Sequence, residues 1–218
     1  ALQSQPQVGL AFCRSKMVDE EGLVLGDDFA VRELAFRSRC AGDTVVNRNE
    51  MRRFLMHSCV IPNLSAALIR RECFTRIGDL SPDYRACSDW DLFFRIADEY
   101  DFAYVAEPLN HFRQHGTTIR SATKGRITYD EFFRVLLGQI GHPGFSSAER
   151  NRFRRHVMYL WATELLRPAA AGWVNFTHHA RLVRQLDAAA LWFLPQALLA
   201  RLAVLSVKAL RRFMRKAA

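Results

Sequence analysis

Two stretches decide the fold: residues 63–71, Asn63-Leu-Ser-Ala-Ala-Leu-Ile-Arg-Arg71, and residues 86–97, Ala86-Cys-Ser-Asp-Trp-Asp-Leu-Phe-Phe-Arg-Ile-Ala97. Ser65 to Arg71 reads as a short strand of small and aliphatic residues, and Glu72 to Gly78 as a helical turn closed by glycine. Asp79 to Ala86 is an irregular loop with a Ser-Pro-Asp turn signal. Asp89 and Asp91 then open an amphipathic segment, Leu92 to Ala97, where carboxylates suit the positive end of the helix dipole. Two readings of Asp89 stand at this point. It is an ordinary helix cap, or it is a reactive carboxylate at a loop-to-helix corner.

Working outward, the order of the pieces adds information. Ser65 to Arg71 is followed by Phe74 and Ile77-Gly78, then by Asp89-Trp90-Asp91-Leu92 and Arg95. Tyr104-Val-Ala-Glu-Pro-Leu109 comes next, then Phe112-Arg113-Gln-His115 and Ser121. Upstream lie Val8-Gly-Leu-Ala-Phe12 and Val18-Asp-Glu-Glu-Gly22. This succession, over roughly residues 8 to 121, resembles the second half of the GT-A-type family 2 glycosyltransferases.

The resemblance implies an α/β fold: a partial GT-A mixed sheet with flanking helices, followed by an all-α C-terminal extension. Residues 1–125 would form the acceptor-side half of the catalytic domain, and 126–218 a helical extension ending in a basic amphipathic helix. The implied activity is inverting transfer of a sugar from a nucleotide-diphosphate donor to a saccharide or lipid-linked acceptor, assisted by Mg²⁺ or Mn²⁺. Asp89 falls at the family's base position, although Ser88 stands where the family usually has Glu. Trp90, Asp91, Asn63 and Ser65 would meet the acceptor, Arg113 and Arg120 the diphosphate, and His115 the metal. Each has a plain counterpart: Trp90 as core, Arg113 and Arg120 as solvated loop charges, His115 as a surface histidine.

The family's metal-binding Asp-x-Asp has no counterpart in the chain. The donor-binding half is therefore expected upstream of Ala1, and residues 1–218 alone are expected to be inactive. A sheet cut in this way is expected to expose edge strands and to self-associate.

Half of the 218 residues are hydrophobic, enough to bury a core. The polar Gln3-Ser-Gln-Pro-Gln7 opening shows no secretory-signal pattern. Five dispersed cysteines, Cys13, Cys40, Cys59, Cys73 and Cys87, form no C-x-x-C pair and read as reduced thiols in a cytosolic setting. The net charge of +9 is uneven, because residues 145–218 hold thirteen of the 31 bases and three of the 22 acids. Such a tail suits a polyanion. It lacks the glycine–aromatic or helix-turn-helix patterns of specific nucleic-acid readers, so no specific nucleic-acid partner is expected.

Val8 to Cys13 and Phe102 to Val105 read as strands, with Asn110 to Arg113 as a further one, and Glu20 to Asp28 as a turn and hairpin. Residues 30 to 46 are ambiguous, their Arg32, Arg37 and Arg39 facing either solvent or a ligand phosphate. Asn47 to Met56 reads as a helix with Asn47 or Asn49 as its cap. Tyr129 to Ile140, Ser146 to Leu166 and Ala169 to Leu186 have helical periodicity.

Ala188 to Val207 is near spanning length, but Arg201 within it costs about 2.5–3.5 kcal/mol on insertion scales. Arg201, Lys208, Arg212 and Arg215 line one helical face, and Leu198, Leu202, Leu205 and Leu210 are read as the opposite one. An in-plane amphipathic helix on an anionic membrane surface fits better than a span, with packing on the protein's own core as the alternative. The expected location is peripheral, at the cytoplasmic face of a bacterial inner membrane. A second reading of the whole chain follows: a non-catalytic membrane-surface or partner-binding module that works through this tail.

Overall fold

β1 (Val8–Val18) is the strand from which the first unit is built. On one side it pairs in parallel with β5 (Asp101–Arg113) along its whole length. Its other edge is shared: β4 (Ala67–Ile69) pairs antiparallel with Leu10 to Phe12, and β2 (Val24–Asp27) with Lys16 to Val18. β3 (Thr44–Val46) closes the far side on β5, giving the order β2-β1-β5-β3. The fold is therefore a curled mixed α/β sheet with flanking helices, followed by a helical part.

The computed structural model describes residues 2–32, 34–114, 126–167 and 171–217. The chain divides into two units, Ala1–Lys124 and Gly125–Ala218.

β1 runs five residues beyond the apolar stretch that announces it, because the hydrogen bonds of both neighbours hold the polar end in the sheet. Ser15, in that extension, is wholly buried. β5 is one strand where two were expected. Pro108, which has no N–H to give, sits opposite Arg14 where the register shifts, so the irregularity absorbs the missing donor.

Residues 30–46 resolve into the end of a 3₁₀ turn (Asp28–Val31), α1 (Leu34–Arg39) and β3. α2 (Arg48–Leu55) is capped by Asn47, whose side chain accepts from the Glu50 amide. α3 (Arg71–Ile77) stops at Gly78, whose φ of 79° is cheap only for glycine. α4 (Ser88–Glu99) buries Leu92, Phe93, Phe94, Ile96 and Ala97 as one apolar stripe. It packs on α2 and touches β1 and β5. Phe12 and Tyr104 face each other across β1 and β5, their rings 5.3 Å apart, and Phe36 joins them at 5.4 Å from Tyr104.

The second unit contains α5 (Arg126–Gly138), α6 (Ser147–Leu165), α7 (Ala171–Val174), α8 (Phe176–Asp187), a 3₁₀ turn (Ala188–Phe193) and α9 (Leu194–Ala217). Ser146 and Glu149 make a reciprocal capping box at the start of α6. Phe133, Trp161 and His179 meet at the centre, with Phe133 and Trp161 rings 5.4 Å apart. α9 docks on α6 through its first turns, where Leu194 and Ala197 are buried. Leu198, Arg201 and Leu205 follow on that side and are half-buried. The expected division of the helix is thus corrected. Leu198 and Leu205 share the side of Arg201, and the exposed apolar side is made by Leu199, Leu202, Val207, Leu210 and Met214.

Candidate functional site around the start of helix α4

The loop ahead of α4 ends at Cys87, which occupies the N-cap position without a side-chain cap bond. Asp89 is therefore not the cap. Its carboxylate lies in the first turn, half-buried, with Oδ1 accepting from the Trp90 amide at 2.7 Å.

Asp91 has a different occupation. It receives Nε of Arg95 one turn later at 2.8 Å. The same guanidinium donates to the carbonyls of Ile77 at 2.6 Å and Asp79 at 2.9 Å. Asp91 thus positions the cation that satisfies the carbonyl end of α3, a role in holding the loop. Trp90 is half-buried, and its indole Nε1 donates to the Leu55 carbonyl at 3.0 Å, tying the start of α4 to the end of α2.

Asn63 caps the 3₁₀ turn ahead of β4, its Oδ1 accepting from the Ala66 amide at 2.9 Å and from the exposed Ser65 hydroxyl. Its Nδ2 is buried with no hydrogen-bond partner among the described residues. Asn110 on β5 reaches the same oxygen at 3.4 Å and the buried Ser15 hydroxyl at 2.9 Å. Arg113, at the end of β5, is exposed and donates to the Glu20 carbonyl at 2.8 Å. His115 and Arg120 lie outside the described residues.

A neighbouring charged group escapes a motif-based reading. Asp28 is buried, accepts from the Ser15 amide at 2.8 Å and pairs with Arg32, which also donates to the Val60 carbonyl. Arg32 therefore faces neither solvent nor a ligand phosphate. Arg14 pairs with Asp27 and lies 4.8 Å from the Phe29 ring centroid. Burial pushes the Asp27 carboxyl up, but the Arg14 bond and the Phe29 amide outweigh it and hold the group below its ordinary value. The sequence signal was the Asp27-Asp28 pair, thirteen residues from Arg14 and Ser15, which only strand pairing brings together.

Among the described residues no group of three or more His, Cys, Asp or Glu is arranged to hold a metal ion. No known protein family matches the chain, and no curated protein matches its sequence.

Proposed function

We propose that this chain carries the acceptor side of a GT-A-type, family 2-like inverting glycosyltransferase, with Asp89 as the general base. One observation carries the reading. The Asp89 carboxylate is half-buried in the first turn of α4, at a loop-to-helix corner, and is not the helix cap. The order of elements supports it: β4, then Arg70-Arg71 and α3 with Phe74 and Gly78, then α4, then β5.

In this reading the acceptor hydroxyl loses its proton to Asp89 as its oxygen attacks the anomeric carbon. The bond to the nucleotide diphosphate breaks on the opposite side, and the diphosphate leaves with the electron pair. Asn63, with its uncommitted Nδ2, and Trp90 are the acceptor contacts, and Arg113 and Arg120 the diphosphate contacts. Mg²⁺ or Mn²⁺, the ion such enzymes use, would be held with the help of His115 and would supply positive charge to the departing diphosphate.

The test is sugar transfer by the full-length protein, with the donor-binding half this reading requires, measured as release of nucleoside diphosphate when nucleotide-sugar donors meet saccharide and lipid-linked acceptors. Asp89→Asn is expected to lower the rate by roughly 10²–10⁴-fold with unchanged circular dichroism. A variant as active as the parent removes Asp89 as the base. The second reading, a non-catalytic surface module, is favoured by the exposed apolar side of α9.

A further inference from the structure

The end of α9 shows a combination that its own unit does not explain. Leu199 is 69% exposed, Leu202 46%, Val207 49%, Leu210 58% and Met214 54%. Spaced at 3, 5, 3 and 4 residues, these positions form one continuous side of the helix. Across the axis, Arg201 and Lys208 stand two turns apart. The sequence then adds Arg211, Arg212, Arg215 and Lys216, and residues 188–218 contain no acid. An exposed aliphatic stripe of this length is costly in water.

We infer that α9 lies in the plane of an anionic lipid surface, its Leu199–Leu210 side in the acyl boundary and the net positive charge of the segment drawing it to the phosphates. Charge selects this occupant. A second copy of the helix would set an acid-free segment of six bases against its like, whereas acidic phospholipid complements its net charge.

A membrane-crossing arrangement fits less well. The run Phe176–Leu210 contains an 18-residue window apolar enough to cross, with a mean hydropathy of 1.7, and only 17% of that window is buried. The α-helix is nevertheless interrupted between Asp187 and Leu194, and α8 turns His179, Leu182 and Val183 into its own unit's core. Arg181, Arg184 and Asp187 add charges to the run. What remains to meet lipid is one side of α9. The inference is independent of the transferase reading.

The test is flotation of the full chain with vesicles of phosphatidylcholine alone and of an equal mixture with phosphatidylglycerol. Binding to the mixed vesicles that falls as salt is raised is expected, with little binding to phosphatidylcholine. Lys208→Gln should weaken it by about fivefold, the worth of one base at an anionic surface. Leu202→Glu with Leu210→Glu, both at exposed positions, should weaken it more than about tenfold while helicity is kept. Absence of flotation, equal binding to both vesicle types, or an unaffected double variant overturns the inference. Resistance to alkaline extraction from cell membranes overturns it in favour of a span, and a dimer that ignores vesicles overturns it in favour of a second copy.

Discussion

Two aspartates separated by one tryptophan have different neighbours and therefore different consequences. Asp91 is committed to Arg95 and, through it, to the carbonyls that end α3, while Asp89, two residues nearer the loop, accepts from the Trp90 amide. The sequence shows both acids in a first helical turn, but it does not show where the turn begins. Cys87, a residue with little capping preference, takes the cap position, and that detail separates the two acids.

Asp27 contributes to stability in a way that depends on pH. Its folded pKa is depressed below the ordinary carboxylate value by Arg14 and the Phe29 amide acting against burial. The unfolded chain then binds more protons in acid. The contribution is present above the unfolded pKa of about 3.9 and is lost as pH falls through the lower folded value. With both side chains about a third exposed, solvent screening keeps the effect small. Asp27→Asn should flatten the acid limb of stability, read as urea midpoints on either side of about pH 4. An acid limb of unchanged slope would show that another group sets it.

β1 lies close against α3 and the end of α4 at Gly9. A Cβ added at Gly9 would lie 2.6 Å from Tyr100 Cβ and 2.8 Å from Cys73 Sγ, on the strand's buried side. The Gly9 carbonyl meanwhile accepts from the Arg70 amide at 2.9 Å, so the strand cannot shift away without breaking that bond. Gly9→Ala should cost about 1–3 kcal/mol in urea unfolding, the usual range for overpacking. A stability equal to the parent's would mean that α3 moves freely against β1. Sequence periodicity found the core of this strand but not its length. Arg14, Ser15 and Lys16 look like the start of a loop, and only the ladders on both sides hold them extended. Arg52 is a similar case: a charged residue in a helical pattern reads as solvent-facing, yet it is buried, donating to the Phe94 carbonyl at 3.1 Å between α2 and α4. Burial pushes its guanidinium pKa down against the upward pull of Asp98.

Over the whole chain, the change from a mixed sheet to helices was legible because hydrophobic spacing changes from runs and alternation to intervals of three and four after Tyr129. The long-range pairs were not: Ser15 with Asn110 and Arg14 with Asp27 follow from strand order, which local pattern does not encode. The candidate base was legible from its motif, whereas the exposed side of α9 depended on which side meets α6. Each unit has its own core. Phe12, Phe36 and Tyr104 cluster in the first, and Phe133, Trp161 and His179 in the second. Phe133 is fully buried, and Phe133→Ala should cost about 3–5 kcal/mol, drawn from the helical core alone. Hydrogen exchange would locate the loss. Amides of α5, α6 and α8 should exchange faster, while those of β1 and β5 keep their protection. Equal acceleration in the sheet would mean that the two cores unfold as one.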